Sequence, residues 1–189
     1  MTDPGDSWRR VDPTLQALLA AAVGATSATE GWVVTEDDGR LTVQAAVGAS
    51  SPALVARPGV AAGGTAGFVL ATGQPLALTL RPDDPRGAEG IPSLLGLRPT
   101  TVVAVPCGTD DGVVGVIELI DKAEGAFTFD DLELVTLLAG VAAAALTASG
   151  SVSVPSPAEL AGDLERLAAA DPVHYAAVAT TVTALMGRL

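Results

Sequence analysis

The chain is poor in the residues that metal sites, disulfides and nucleophilic triads require. Its 189 residues include one cysteine, Cys107, and one histidine, His174. A single cysteine forms no intrachain disulfide and no cysteine-rich zinc site. A single histidine near the end of the sequence leaves no credible Ser–His–Asp arrangement. The sequence therefore predicts a protein with no catalytic residues, no metal ligands and no cofactor, and hence not an enzyme.

Aromatic and basic residues are also scarce. Phe, Trp and Tyr make up 3% of the sequence, which offers no obvious stacking platform for bases or flat cofactors. Lysine occurs once, at Lys122, and the formal net charge is −12 at pH 7. A phosphate backbone or an anionic membrane surface would be repelled by this charge. We expect neither nucleic acid nor a membrane among the partners.

Long hydrophobic runs are limited to one stretch, Leu134 to Ala148. A membrane-spanning helix needs about 20 predominantly apolar residues, and this run is shorter and follows the carboxylates of Asp130, Asp131 and Glu133. A buried core helix explains the run better than a membrane span. The first twelve residues contain two arginines but no apolar signal core, so the sequence predicts a cytoplasmic protein.

Hydrophobic residues make up 49% of the chain, which is ample material for one core. Apolar spacing predicts a first helix from Pro13 to about Val23, stopped by Gly24. Two β-like runs follow at 28–36 and 41–47, and the turn signal around Gly39 predicts that they form a hairpin. One helical turn is expected within 51–60.

The period of the sequence switches from helical to strand-like between residues 63 and 80. A short helix ends at Gly73, which acts as a left-handed cap, and a strand follows directly over 74–80. Residues 81–96 are rich in proline and glycine and predict a long loop with at most a short helix at 93–97. Two further runs, 101–106 and 113–120, predict a second hairpin before a closing helix that begins at Phe129 or Asp130 and continues to about Thr147.

Changes in composition predict the domain boundaries. We expect a flexible amino terminus at 1–12, a core domain at 13–148, a linker at 149–156 and a helical hairpin at 157–189. The predicted fold class is α+β, with a central antiparallel sheet of five or six strands. The first and closing helices are expected on one face of the sheet, and the short helix and the long loop on the other.

The order of these elements between Pro13 and Thr147 resembles the GAF domain family, a small-molecule sensing and dimerisation fold. The sharpest local match runs from Gly115 to Asp131. In cyclic-nucleotide-binding GAF domains an Asn-Lys-Phe-Asp-Glu pattern lies in this region. Three of its positions match here, at Lys122, Phe127 and Asp131.

The match to that pattern is partial, because Asp121 stands in place of the Asn and Leu132 in place of the Glu. We therefore expect the three matching residues to be structural rather than ligand-binding. Lys122 is expected to tie the end of its strand to Asp131 at the start of the closing helix.

The resemblance also implies three possible activities of the family, and the residues of this chain argue against each of them. Free methionine sulfoxide reduction in this family needs several cysteines, and Cys107 has no partner. Bilin attachment needs a pocket cysteine with a nearby histidine, and haem needs an axial ligand. His174 lies outside the core domain, and Cys107 is expected to be a small buried residue rather than a reactive thiol.

Glu118 is the polar residue that the strand pattern does not explain. Strict alternation places it on the same face as three apolar residues of its strand, Val114, Val116 and Ile120. An unpaired carboxylate on a buried face is costly. Two interpretations stay open: Glu118 reaches solvent at a sheet edge, or it faces the long loop and meets a ligand and one of the arginines, Arg81, Arg86 or Arg98.

The resemblance implies a ligand pocket between the sheet and the long loop. If a ligand binds, its contacts are expected from the residues that surround this space: Thr65, Phe68, Arg81, Arg86, Ser93, Thr101 and Glu118.

Two functions from different classes follow from this reading. The first is a non-catalytic sensory or regulatory GAF domain that binds a small molecule, mediates dimerisation, or does both. The alternative is a protein–protein assembly module with a degenerate, ligand-free pocket, and an enzymatic function is a distant third. We expect a homodimer through the first and closing helices, weakened by a charge at Leu138 or Val141. The C-terminal helices are available to an unknown protein partner.

Overall fold

The computed structural model describes residues 12–55, 59–150 and 157–186. The elements in chain order are α1 (Pro13–Thr26), β1 (Ala28–Asp37), β2 (Arg40–Val47), α2 (Ser51–Val55), β3 (Val60–Ala61), α3 (Gly64–Thr72), β4 (Leu76–Thr79), a 3₁₀ turn (Pro85–Ala88), α4 (Gly90–Leu95), β5 (Thr101–Thr109), β6 (Gly112–Lys122), α5 (Phe129–Gly150), α6 (Pro157–Ala170) and α7 (Pro172–Met186).

The strands form one antiparallel six-stranded sheet in the order β3-β2-β1-β6-β5-β4. The two hairpins predicted from the sequence are β1–β2 and β5–β6, and they meet where β1 pairs with β6. This arrangement places β1 and β6 at the centre of the sheet and confirms the predicted α+β class. The predicted strand over 74–80 is shorter than expected and occupies one edge.

Each face of the sheet carries its own hydrophobic core, as the alternation of the strands requires. On one face α1 and α5 pack over Val33, Val103, Ile117 and their neighbours. On the other face α3 and α4 pack over the residues of the opposite parity, among them Trp32, Val102, Val116 and Ile120. The predicted division of the helices between the two faces is therefore correct.

Helix α1 is longer than predicted, because Gly24 does not stop it. The helix continues to Thr26, whose buried hydroxyl donates to the carbonyl of Ala22. Ser27 then takes the left-handed conformation, and its backbone N–H caps the helix on the carbonyls of Val23 and Gly24. Glycine lowers helix stability by only about 1 kcal/mol, and tertiary contacts outweigh that cost here.

The segment predicted as a long loop contains two short helical elements. The Asp84 carboxylate accepts from the Arg86 N–H and starts the 3₁₀ turn, and α4 begins at Gly90 rather than near Ser93. Burial of Ile91 in the core beneath α4 explains the earlier start. The predicted helix at 93–97 is therefore misplaced by about one turn.

A bulge in β6 overturns one prediction about its faces. Cys107 pairs with Gly115 and Gly108 pairs with Val113, so Val114 is an extra residue in the ladder. Beyond an extra residue, each side chain of the strand lies on the face of the sheet opposite to the one that strict alternation predicts. Val114 consequently packs toward the α1–α5 core, not on the face of Val116 as strict alternation predicted.

Helix α5 starts with a capping box. The Thr128 hydroxyl accepts from the Asp131 N–H, and the Asp131 carboxylate accepts from the Thr128 N–H at 2.7 Å. By length and composition alone, residues 129–148 could cross a membrane. The sheet-facing residues of α5 are nevertheless buried in the way expected of a core helix: Val135, Ala139, Ala142, Ala143 and Leu146.

Helices α6 and α7 form a separate compact unit and pack against each other. The backbone N–H of His174 in the first turn of α7 bonds to the Asp171 carboxylate, which caps this helix. The His174 side chain is exposed. Helix α5 continues to Gly150, within the predicted linker, and residues 151–156 of that linker lie outside the described residues.

The close approach of α1 to the sheet depends on Gly31 in β1. A Cβ atom at this position would lie 2.6 Å from Leu119 Cδ2 and 2.9 Å from Val23 Cγ2. We expect Gly31→Ala to lower the free energy of unfolding by about 1–3 kcal/mol through overpacking, as measured by urea denaturation. Gly108→Ala in β5 is the matched control, because nothing lies within 4 Å of its added Cβ. Equal stability of the two variants would contradict this packing.

Candidate functional site: the Glu118 cluster

Glu118 lies in the middle of the sheet and is completely buried. Its strand, β6, lies between β1 and β5, and its register partners are Trp32 and Ala104. The interpretation of Glu118 as an edge residue that reaches solvent is therefore wrong. A carboxyl group at this depth needs polar partners, because burying it without hydrogen bonds is costly.

Three hydrogen-bond donors surround the Glu118 carboxyl group, and together with it they form what we call the Glu118 cluster. Trp32 Nε1 donates to Glu118 Oε2 at 2.6 Å, and the Thr65 hydroxyl donates to Oε1. The backbone N–H of Ala66 makes a third, weaker interaction with the carboxyl group. Trp32 and Thr65 are themselves buried. Across the described residues, every buried side-chain nitrogen and oxygen has a partner.

The start of α3 supplies two of these donors, the side-chain hydroxyl of Thr65 and the backbone N–H of Ala66. The first N–H groups of a helix have no partner within the helix, and a negative group near them is stabilised by the helix dipole. Thr65 and Ala66 are the second and third residues of α3. Gly64 has φ +64°, and a Cβ atom there would meet the carbonyl oxygens of Arg86 and Glu89 at 3.0 Å. Glycine at this position therefore allows α3 to begin against the 85–89 segment.

Burial raises the pKa of Glu118, and the hydrogen bonds from Thr65, Trp32 and Ala66 oppose this rise without cancelling it. The cluster can hold either protonation state. The indole and the backbone N–H only donate, whereas the threonine hydroxyl can rotate and accept a hydrogen bond from the protonated acid. Thr65 is therefore the partner that can adapt to a neutral carboxylic acid.

Two of the three arginines named for Glu118, Arg81 and Arg86, pair with other carboxylates. Arg81 Nε lies 3.5 Å from Asp83 Oδ1, and both side chains are about 80% exposed. Arg86 makes two side-chain bonds to the carboxylate of Asp84. These bonds lower the pKa of Asp84 to about 2. Neither arginine is part of the Glu118 cluster, whose acid is bound to Trp32 and Thr65 instead.

The other predicted contact residues are also dispersed. Phe68 is 51% exposed on the outer side of α3, and Ser93 is exposed on α4. Thr101 is buried, but its hydroxyl accepts from the backbone N–H of Lys122. Of the seven predicted residues, hydrogen bonding therefore joins only Thr65 and Glu118. Binding of a ligand by these residues stays a prediction.

The residues that match the cyclic-nucleotide pattern contact the start of α5. Lys122 Nζ lies 2.5 Å from Asp131 Oδ2, and Phe127 is buried in the α1–α5 core. Burial alone would raise the pKa of Asp131, but bonds from Lys122 and Thr128 outweigh it and lower the pKa. Asp121, which stands in place of the family's Asn, has φ +51° and accepts from the Thr100 N–H at 2.7 Å. These contacts join strand ends to a helix start.

The surroundings of Cys107 do not favour a reactive thiol. Cys107 is fully buried, and burial raises the pKa of its thiol to about 12, so the reactive thiolate is strongly disfavoured at neutral pH. Within the described ranges, no group of three His, Cys, Asp or Glu residues is placed to hold a metal ion.

Sequence reasoning missed Trp32, which holds one oxygen of the Glu118 carboxyl group. The signal was present, since Trp32 is the only tryptophan of the core domain and is followed directly by Val33 and Val34 in a predicted strand. It could be used only once β1 was known to pair with β6, because that pairing places Trp32 directly opposite Glu118. A buried indole N–H needs an acceptor, and Glu118 is the one that the register supplies.

The model of the GAF domain family matches residues 9–147, which is most of the chain. The chain belongs to the GAF domain family, whose members are sensory and regulatory modules that bind small molecules or other proteins. No curated protein matches it.

Solved GAF domains share this fold at low sequence identity. The GAF-B domain of DevS from Mycobacterium smegmatis is 21% identical with a TM-score of 0.56, over 73% of this chain and 93% of that one. The GAF domain of a phosphoenolpyruvate-protein phosphotransferase from Coxiella burnetii is 19% identical with a TM-score of 0.61, over 73% and 84%.

An enzyme shares the fold as well. A type II free methionine-R-sulfoxide reductase from Thermoplasma acidophilum is 15% identical with a TM-score of 0.58, over 75% of this chain and 94% of that one. At these identities the likeness concerns the fold alone.

The raised pKa of Glu118 gives a testable pH dependence. Below the unfolded pKa of about 4.3 both states hold the proton. As pH rises further, the unfolded chain releases it first, so stability falls until the higher folded pKa is passed. We expect Glu118→Gln to remove this fall. The free energy of unfolding of the variant, relative to that of the natural protein, should therefore rise by up to about 1.4 kcal/mol per pH unit within that window.

Urea unfolding at several pH values between 4 and 9 measures this difference. Glu133→Gln, which removes an exposed carboxylate on α5, is the matched control and should follow the natural protein. Parallel stability curves for Glu118→Gln and the natural protein would show that the acid has the same pKa folded and unfolded.

Proposed function

We propose that this protein is a non-catalytic regulatory GAF domain that works by association, as a homodimer formed through α1 and α5. The observation that carries the proposal is the outer surface of these two helices. They lie side by side on one face of the sheet, and the surface that they expose is almost entirely uncharged.

The composition of this surface differs from that of an ordinary solvated helix face. Helix α1 has no charged residue, and its exposed positions include Ala17, Ala20, Ala21, Gly24 and Ala25. Helix α5 has no charged residue between 136 and 148, and it exposes Leu137 and Val141 at 73% and 54%. Large apolar side chains surrounded by small residues permit close packing with another helix pair, and contiguous exposed apolar patches mark interaction sites.

A dimer with a two-fold axis would bury this surface without bringing like charges together. A chain with net charge −12 repels its copy over most of its surface. The α1–α5 face is the exception, because it carries no carboxylate along most of its length. An isologous dimer through this face would form a four-helix bundle, in which the same patch of both subunits is buried.

The hydrogen bonds within the Glu118 cluster support association over ligand binding in the predicted pocket. The two predicted contacts that come together, Thr65 and Glu118, bond to each other, and among the described residues no buried side-chain nitrogen or oxygen is without a partner. The assembly module with a degenerate pocket is thus the better-supported of the two functions predicted from the sequence. Location in the cytoplasm, predicted from the sequence, is part of this proposal.

A small-molecule function at the predicted pocket would require α3 and α4 to move away from the sheet. Three of the predicted contacts, Phe68, Arg86 and Ser93, are exposed on the segments that would move. A thermal-shift screen with anionic metabolites tests this function. Stabilisation by a metabolite that is lost in the Arg81→Ala, Arg86→Ala double variant would favour ligand binding there; an unchanged melting temperature throughout supports association alone.

The dimer predicts the effect of a charge on α5. The structure modifies the positions first chosen for this test, because Leu138 is partly buried in the core whereas Leu137 is exposed. We expect light scattering to give twice the chain mass of 18.7 kDa for the natural protein at tens of micromolar. Leu137→Asp and Val141→Asp should give the single-chain mass, because each buries a carboxylate in an apolar interface.

Phe68→Asp is the matched control for this experiment. It introduces the same charge at an exposed hydrophobic position on α3, on the opposite side of the sheet, and should leave the dimer intact. A single-chain mass for the natural protein, or a dimer that survives both α5 substitutions, would refute association through this face.

A further inference from the structure

An open groove lies on the other side of the molecule, between the outer side of α3 and the start of β6. Its cavity volume is about 430 Å³, and its lining is mostly apolar: Ala62, Gly67, Leu70, Ala71, Val113 and Val114, with Glu36 near the end of β1. Phe68 is next to Gly67 on α3 and half exposed. We call this surface the α3 groove. Sequence analysis did not detect it, because its residues come from three separate elements.

The groove is bordered by an acidic rim from two hairpin turns. Val34 pairs with Val116 in antiparallel register, so the end of β1 and the start of β6 lie side by side. The β1–β2 turn and the β5–β6 turn therefore project from the same end of the sheet. Together they carry Asp37, Asp38, Asp110 and Asp111, and Glu36 adds a fifth carboxylate at the groove itself.

These carboxylates have no cationic partner among the described residues. None of the ion pairs there includes them. The nearest arginine in the turns, Arg40, donates instead to the carbonyl of Gly59. These five negative charges at one end of the sheet repel each other, and a cation bound between them would relieve that repulsion.

We propose that the α3 groove binds a short basic segment of a partner protein. One apolar side chain of that segment would lie in the groove against Leu70, Ala71 and Val113. Lysine or arginine residues beside it would face the acidic rim. The volume suits one large side chain with part of its backbone, and an apolar anchor flanked by complementary charge is a common mode of peptide recognition.

This inference is independent of the proposed dimer. The α3 groove lies on the face of the sheet that α3 covers, whereas the dimer uses the opposite face, covered by α1 and α5. One domain could therefore bind its own copy and a basic partner at the same time. The net charge of −12 would speed the encounter with such a partner.

A defined peptide tests the proposal. The probe is an acetylated, amidated peptide with a central Phe-Leu pair and two lysines on each side, titrated into ¹⁵N-labelled full-length protein. We expect amide shifts concentrated at Gly67, Leu70, Ala71 and Val113. We expect the Asp110→Asn, Asp111→Asn variant to bind about fivefold more weakly. Asparagine preserves the turn, so this variant should remain folded.

Two controls separate the groove from general charge attraction. Asp130→Asn with Glu133→Gln removes the same number of charges from exposed positions on α5 and should leave the affinity unchanged. Leu70→Glu should abolish the shifts at the groove. No binding at millimolar peptide, shifts spread over the surface, or equal weakening by the α5 control would each overturn the proposal. Because the peptide titration does not depend on chain mass, its failure would leave the dimer untouched.

Discussion

A fully buried carboxyl group in the centre of the sheet is the constraint on which much of this structure depends. Glu118 has no access to water, so its partners must be supplied by the protein. One comes from the neighbouring strand, at Trp32, and the others from the first turn of α3. The cluster therefore does more than satisfy one acid. It links the first turn of α3 to the two central strands of the sheet, β1 and β6.

The functions that we propose use the outer surfaces of the domain. The two faces of the sheet are covered by different helices, and each covering layer presents a different outer surface. The α1–α5 side is uncharged, which suits a second copy of the same acidic chain. The α3 side combines an apolar groove with carboxylates, which suits a basic partner. In our proposal, the distribution of charge thus assigns the two kinds of partner to two faces of one small domain.

The sequence was sufficient for the architecture because local signals and the family resemblance agreed. The Gly39 turn and the left-handed cap at Gly73 marked element boundaries that the structure retains. Predictions were wrong where tertiary contacts decide, as at the bulge that turns Val114 to the other face and at the early start of α4, which follows from burial of Ile91.

The site could be predicted only in part. The strand pattern alone marked Glu118 as unusual. Its partners, Trp32 and Thr65, are distant in sequence and reach it only through the pairing of β1 with β6 and the position of α3. One of the two interpretations that the sequence left open gave Glu118 an arginine as partner, Arg81, Arg86 or Arg98. The structure uses neutral donors instead, at Trp32 and Thr65.

The indole proton of Trp32 reports whether the hydrogen bond between Trp32 and Glu118 is kept from water inside the domain. The chain has two tryptophans, so the spectrum contains two indole signals, and Trp32→Phe assigns them. In D₂O at neutral pH we expect the Trp32 indole proton to exchange only through rare opening, over hours or longer, because it is buried and hydrogen-bonded. Exchange within the first minutes, in a protein that is otherwise folded, would show an interior open to solvent and contradict the account.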